Sequence, residues 1–186
     1  MPDLSFKTFQ KNFRIYEVPE VLNKLLDFQN KSHAFYSNGF ELDDCSDQYG
    51  LNSYSKDNAF LSRLIEFAKA DGSGSTYAFW IQEDNDIEKA PIIIFGNGGG
   101  VHVVAENIMQ LMKILTYDAE PMVDWDDVVY YKDEEDEPSE RSQEFKEWLL
   151  RNYNIKPIDD ADQLVKQAQE KYKDSFIAWM NIYYKP

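Results

Sequence analysis

The fold of this chain is decided by the stretch Thr76-Tyr77-Ala78-Phe79-Trp80-Ile81-Gln82. Its aromatic and β-branched residues lie at odd-numbered and even-numbered positions alike, and successive side chains of a strand point to opposite faces. This pattern is typical of a strand that is buried on both faces. Two similar runs follow at residues 92–95 and 101–105, separated by a glycine-rich stretch at residues 96–100. Segments this close in sequence pair most simply with their neighbours, so the three runs predict consecutive antiparallel strands of one sheet.

The segments around this sheet carry apolar residues at helical spacing. The predicted helices lie at residues 19–30, 57–70, 142–152 and 160–173, and one more begins at a capping box formed by Asn107 and Gln110. Residues 31–54 predict a loop with one or two short strands, and the apolar tail at 175–184 is expected to dock against the body. The sequence thus predicts an α+β fold: a single domain over residues 1–186, with a mainly antiparallel central sheet covered by several helices.

The composition is that of a foldable but strongly acidic chain. Of the 186 residues 43% are hydrophobic, which is enough for one core without a disulfide or a metal. The 34 acidic residues outnumber the 19 basic ones and give a formal net charge of −15. Such a field repels phosphate backbones and anionic lipids but attracts basic protein surfaces. We therefore expect a protein partner and neither nucleic acid nor membrane, the alternative being that the charge serves only solubility.

Cysteine usage and the amino terminus bear on the compartment. Cys45 is the only cysteine, so no internal disulfide forms, which fits a reducing environment. The first seven residues lack a basic region followed by an apolar stretch, and the longest bulky apolar run, Ile92–Phe95, is too short to span a bilayer. The expected localisation is cytoplasmic.

The glycine cluster at residues 96–100 invites comparison with phosphate-binding loops. The dinucleotide pattern requires a third glycine where Val101 stands, followed at once by a helix, whereas a strand is predicted there. The Gly-Lys-Ser/Thr ending of a nucleotide loop is also missing from the sequence. The cluster is therefore interpreted as a connection between strands, and no cofactor is expected.

Other side chains offer weak signals for catalysis or metal binding. His33, His102 and Cys45 are the residues available for a nucleophile and a base, but His102 lies in a predicted strand and the other two in a loop. The carboxylate clusters at 84–88 and 124–127 lack the glycine of the calcium loop. Solvated loop charge explains them better. We expect no enzyme activity, no catalytic residues and no metal site.

Three stretches together carry a recognisable pattern. They are Phe60-Leu61 through Phe67-Ala68 with Asp71 to Trp80; Pro91 to Phe95, the glycine-rich turn, Val101 to Ala105 and Asn107-Ile108 through Leu111-Met112; and Phe145, Trp148-Leu149 and Pro157. In this order they resemble the helix, glycine turn, strands and capped helix of the SUKH superfamily, which contains a fungal regulator of cell-wall glucan synthesis and many bacterial toxin-immunity proteins. The best-matching core is residues 57–117, and a helical carboxy-terminal part spans 142–184.

The resemblance implies an α+β domain without cofactor or catalytic residues that often neutralises a cognate toxin in the cytoplasm. Many such toxins are nucleases with basic clefts, which an acidic surface occupies by imitating the charge of a phosphate backbone. The expected partner is therefore a basic toxin domain. A regulatory adaptor in cell-wall or polysaccharide metabolism is the alternative of the same kind, and a small-ligand binder or hydrolase is the unrelated one.

The candidate partner surface lies where acidic and aromatic residues alternate. Between Glu120 and Glu140 the chain has ten acidic residues and one basic residue, Lys132. Carboxylates steer a basic partner, and tryptophan and tyrosine supply the desolvated anchors. The predicted contact residues are Asp124, Trp125, Asp126, Asp127, Tyr130, Tyr131, Asp133, Glu134, Glu135, Asp136 and Glu137. The alternative is an ordinary solvated loop or edge strand whose aromatic residues point into the core.

Overall fold

The computed structural model describes residues 3–133 and 135–184, and its centre is an antiparallel sheet. The strands are β1 (Glu41–Leu42), β2 (Leu64–Lys69), β3 (Thr76–Trp80), β4 (Ile92–Phe95) and β5 (Val101–Ala105). They lie side by side in chain order, and each pairs antiparallel with the next. The predicted run of consecutive antiparallel strands is therefore confirmed.

A separate hairpin follows the sheet in sequence. Its strands, β6 (Pro121–Val123) and β7 (Val128–Tyr130), pair in a register that sets Val123 opposite Val128. Short strands of this length are not stable alone. The buried side chains of Val128 and Tyr130 join the main core, which fixes the hairpin to the body.

Helices lie on both faces of the sheet. Within the described ranges they are α1 (Phe6–Phe9), α2 (Glu20–Gln29), α3 (Tyr49–Asn52), α4 (Asn58–Ser62), α5 (Ile108–Ile114), α6 (Ser142–Tyr153) and α7 (Asp162–Tyr183). Short 3₁₀ turns occur at Gln10–Phe13, Ile87–Lys89 and Leu115–Tyr117. Across the described parts of the chain, none of these helices has the length and apolarity that a membrane crossing requires.

The two faces of the sheet bury two hydrophobic clusters. Tyr77 and Phe79 of β3 belong to the larger one, together with residues of α2, α5 and α6. Ala78 and Trp80 belong to the smaller one, where Phe176 and the rest of the second half of α7 cover them. Because β3 packs against apolar side chains on both faces, its near-continuous apolar sequence is explained. The fold is a single-domain α+β structure.

The helix predicted at residues 57–70 is wrong in its second half. The helix α4 ends at Ser62, and Leu64–Lys69 forms strand β2, in which Ile65 pairs with Phe79. The run has bulky residues at positions that suit either a wide helical face or a strand buried on both sides, and pairing with β3 decides for the strand. The stretch from Phe60 to Trp80, which resembles a helix, a glycine turn and a strand in sequence, therefore folds as the end of α4, strand β2, the glycine turn and strand β3.

The apolar tail docks as expected, but as helix. The sequence predicted a helix to residue 173 followed by a docked tail, whereas α7 runs unbroken from Asp162 to Tyr183 along β5. The segment contains neither proline nor glycine to end it. The cap of α5 is confirmed, since the Asn107 side chain accepts a hydrogen bond from the Gln110 backbone N–H. The Gln110 side chain in turn accepts from the N–H of Glu106.

Candidate functional site

The turn between β6 and β7, Asp124–Asp127, is hereafter the acidic tip. One oxygen of Asp124, Oδ1, accepts hydrogen bonds from the backbone N–H groups of Asp126 (2.8 Å) and Asp127 (2.9 Å). The Asp124 N–H donates to the Asp127 carbonyl, which closes the turn. The bonds from Asp127 and Asp126 lower the pKa of Asp124. Asp124 therefore builds the tip, while the side chains of Asp126 and Asp127 are exposed beside it.

The acidic tip rests on the glycine turn between β4 and β5. Gly99 and Gly100 have positive φ angles of 106° and 81°, and a Cβ at Gly99 would collide with the indole ring of Trp125. A Cβ at Gly100 would collide with the Asp124 backbone carbonyl. His102 Nε2 lies 2.7 Å from that carbonyl oxygen, which only accepts, so Nε2 carries the proton. The glycines thus allow a close approach that holds Trp125 in place.

Trp125 is the most conspicuous residue of the tip. Its side chain is 61% exposed although one side of the ring lies against Gly99. A large aromatic side chain that is held in one position yet open to solvent loses little conformational freedom on binding. The neighbouring carboxylates of Asp124, Asp126 and Asp127 make the electrostatic potential around it negative.

Tyr130 is a correction to the predicted contact surface. Its side chain is buried, and its hydroxyl lies 2.6 Å from that of Tyr77 inside the core. Burial is the main cause that raises the pKa of Tyr130, as it is for Tyr77. Along β7 the side chains of Val128 and Tyr130 are buried and that of Val129 between them is half-buried, so Tyr130 lies on the inward face, which is the edge-strand alternative stated above. Its role is to anchor the hairpin.

The acidic run beyond β7 forms a second, separate surface. Tyr131 is 59% exposed and donates a hydrogen bond to Asp133. Asp133 and Asp136 close a small turn, in which the Asp136 carboxylate accepts from the Asp133 N–H. Glu135, Asp136 and Glu137 are exposed as predicted, and Glu134 lies outside the described residues. The three residues of β7 span roughly 10 Å, so this run and the acidic tip are neighbours but not one cluster.

A cleft lies beside Trp125, which forms part of its lining. It has a volume of about 550 Å³. Its aromatic walls are Tyr54, from the loop after α3, Tyr184, at the end of α7, and Trp125. Its remaining lining comes from residues of the glycine turn and from Gly50, Ser53, Gly74, Thr76 and Phe95. The sequence did not single out Tyr54 or Tyr184, because only the packing of α7 across the sheet brings them beside the tip.

A buried carboxyl group lies behind this cleft. Glu66 is 3% exposed, and its Oε1 accepts a hydrogen bond of 2.5 Å from the Thr76 hydroxyl. A Cβ at Gly50 would collide with the same oxygen. Burial raises the pKa of Glu66, and the Thr76 bond opposes that effect. Thr76 and Gly50, which both contact the Glu66 carboxyl group, line the cleft, whereas Glu66 itself does not.

The remaining sequence candidates are placed as follows. Cys45 is buried, and burial raises the pKa of its thiol far above the ordinary value, so the nucleophilic thiolate is not favoured. In the glycine turn, the N–H groups of Gly96 and Gly99 bond within the turn and that of Asn97 bonds Ser75. A phosphate cradle would need those donors free. Among the residues that the structure describes, no three His, Cys, Asp or Glu side chains are grouped to hold a metal ion.

Comparisons of the chain with protein-family models, with curated proteins and with solved structures found no match. The function is therefore inferred from the geometry of the acidic tip and its cleft.

Proposed function

We propose that this chain is a non-catalytic protein-binding domain that recognises a basic protein surface through the acidic tip. The observation that carries the proposal is Trp125, which is 61% exposed, seated on Gly99 and flanked by exposed carboxylates. Tryptophan is among the residues that most often dominate binding energy at protein interfaces. The net charge of −15 adds attraction and steering for a partner of opposite sign.

The narrower proposal is an immunity role in the cytoplasm. The resemblance to the SUKH superfamily implies it, and the acidic tip supplies a suitable surface for a basic toxin domain such as a nuclease. A nuclease cleft binds phosphates with lysine and arginine. Asp126 and Asp127, exposed at the turn of the hairpin, offer negative charge to such a cleft.

The test uses the tagged chain, expressed in its own cell, with the retained proteins identified by mass spectrometry. We expect a stoichiometric basic partner that stays bound at about 50 mM NaCl and dissociates at about 500 mM, because salt screens the attraction. Asp126→Asn with Asp127→Asn, and separately Trp125→Ala, should each reduce retention about tenfold or more. The asparagines keep the side-chain acceptors of the turn.

The matched control is Glu83→Gln with Asp84→Asn. These carboxylates are exposed in the loop after β3, at the end of the sheet opposite the glycine turn, and their replacement removes the same charge. Retention should not change in this control. A partner lost equally from both double variants would indicate a general charge effect, and the proposed surface would be rejected. The proposed surface would also be rejected if Trp125→Ala lowered the retention of none of the proteins that bind the chain.

A further inference from the structure

We propose that the cleft between Trp125, Tyr54 and Tyr184 is an arginine-binding site, filled by a guanidinium group of the protein partner. The inference rests on the proposed function for the source of the arginine. Its chemistry rests on the cleft alone. About 550 Å³ lies within the size range of ligand pockets and admits a whole arginine side chain with its backbone.

The aromatic walls are held in place by the fold. The rings of Tyr54 and Tyr184 meet edge to face with centroids 5.3 Å apart. The Tyr54 hydroxyl donates a hydrogen bond of 3.0 Å to the Gly96 carbonyl, and its ring packs against Phe95. The Tyr184 N–H bonds the Met180 carbonyl of α7. Aromatic faces attract cations, tryptophan most strongly, and fixed rings lose no freedom when the cation enters.

The electrostatic field in the cleft favours a cation. The charge of ionised Glu66 lies just behind Gly50 and Thr76, in the low-dielectric interior where it is weakly screened. Asp126 and Asp127, which follow Trp125 in sequence and are exposed, add negative charge to the same hairpin turn. Among the described residues that line the cleft, none is charged. An anion would meet repulsion there.

Arginine fits this environment better than lysine. The guanidinium group is planar, is weakly hydrated and stacks on aromatic rings, whereas an ammonium group holds its water strongly. Its several N–H donors also suit a cleft whose lining includes polar residues such as Asn97 and Ser53. An arginine beside the basic patch that the acidic tip contacts would enter the cleft in the same encounter.

The test is a titration with N-acetyl-arginine amide, followed by the indole N–H signal of Trp125 in NMR spectra. The signal is assigned by its loss in Trp125→Phe. We expect a saturable shift with a Kd on the order of 1–10 mM, as suits one side chain. N-acetyl-citrulline amide has the same shape without the charge, and it should bind about tenfold more weakly or not at all. N-acetyl-arginine, whose free carboxylate has no ammonium beside it, should also bind more weakly, because that carboxylate meets the negative field.

Two variants test the site and one controls for it. Tyr184→Leu removes a wall and should weaken binding about threefold or more, and Glu66→Gln should weaken it by removing the charge behind the cleft. Tyr131→Leu changes an equally aromatic, exposed residue outside the cleft and should leave the titration as it was. Each variant is first checked for a single cooperative unfolding transition, which shows that it folds.

The outcomes for this site and for the proposed function are separable. Equal binding of the arginine and citrulline amides, tighter binding of N-acetyl-arginine than of its amide, or unchanged binding in Tyr184→Leu would overturn the arginine site, whatever happens to the partner. Arginine-amide binding as described, together with no partner that depends on the acidic tip, would support the site and reject the protein-binding function.

Discussion

At the scale of single residues, the carboxyl group of Glu66 is buried although burial disfavours its ionised form. Its carboxyl group is almost fully removed from water, with one described hydrogen bond from Thr76 and no described ion pair. Burying a charge in this way costs stability, and its pKa is raised accordingly. A charge kept at such a cost is understandable if the cleft in front of it receives a cation.

This predicts a specific pH dependence. The pKa of Glu66 is raised above its ordinary 4.5 in the folded state, so the group contributes stability at acid pH that is lost as pH rises through the raised value. Glu66→Gln keeps the acceptor for Thr76 and removes the charge. We therefore expect its unfolding free energy, relative to the wild type, to increase as the pH is raised from about 4 to about 8. Urea denaturation at several pH values measures this difference.

The control for this effect is Glu83→Gln, at an exposed carboxylate. Its difference from the wild type should stay flat over the same pH range. A flat difference for Glu66→Gln as well would show that the folded protein does not disfavour the ionised carboxyl group, and the account of the cleft's field would lose its basis.

At the scale of elements, the hairpin and the glycine turn form one unit. The register of β6 and β7 brings Asp124 and Trp125 over the turn between β4 and β5. The buried Val128 and Tyr130 hold the second strand of the hairpin in the main core. The contact between the hairpin and the turn, with His102 bonded to the Asp124 carbonyl, sets the position of the acidic tip.

Two glycines of the turn should respond differently to alanine. Gly100 has a φ of +81°, and a Cβ there would collide with the Asp124 backbone, so Gly100→Ala should lower the unfolding free energy by about 1–3 kcal/mol. A Cβ at Gly98 meets nothing within 4 Å, and Gly98→Ala should stay within about 0.5 kcal/mol of the wild type. Denaturant unfolding measures both. Equal effects of the two substitutions would contradict the proposed seating of the tip.

At the scale of the whole molecule, the protein combines an apolar core on each face of its sheet with a large excess of negative charge. The sheet buries apolar residues on both faces, and this burial stabilises the fold. The 34 acidic residues outnumber the 19 basic ones, so the excess negative charges repel one another. Self-repulsion of this kind destabilises the compact state. The charge that favours a basic partner thus lowers the stability of the free protein.

Salt should therefore stabilise the free chain. We expect the Tm to rise by a few degrees between about 0.02 M and about 0.3 M NaCl, where the Debye length falls below about 10 Å. The combined variant Glu135→Gln, Asp136→Asn and Glu137→Gln removes exposed charges and should have a higher Tm at low salt with a smaller salt response. A Tm that falls with salt, or a variant with an unchanged response, would refute this account. Differential scanning calorimetry measures both.

The sequence by itself determined the features that depend on local pattern and composition. Short runs of aromatic and β-branched residues, separated by turn residues, predicted strands β3, β4 and β5 and their order. The Asn107 side chain predicted the start of α5, and the charge count predicted an acidic surface. These follow from short-range sterics, capping and net charge, which need no knowledge of distant contacts.

Only the tertiary structure decided the rest. Residues 64–69 become a strand because β3 offers paired hydrogen bonds, and Tyr130 is buried because its face of β7 packs on the main core, where its hydroxyl lies 2.6 Å from that of Tyr77. The cleft joins Tyr54, Trp125 and Tyr184, which are far apart in sequence and meet where α7 crosses the sheet beside the hairpin. Local pattern determines the elements, but a site made between them depends on long-range packing, which no window of sequence contains.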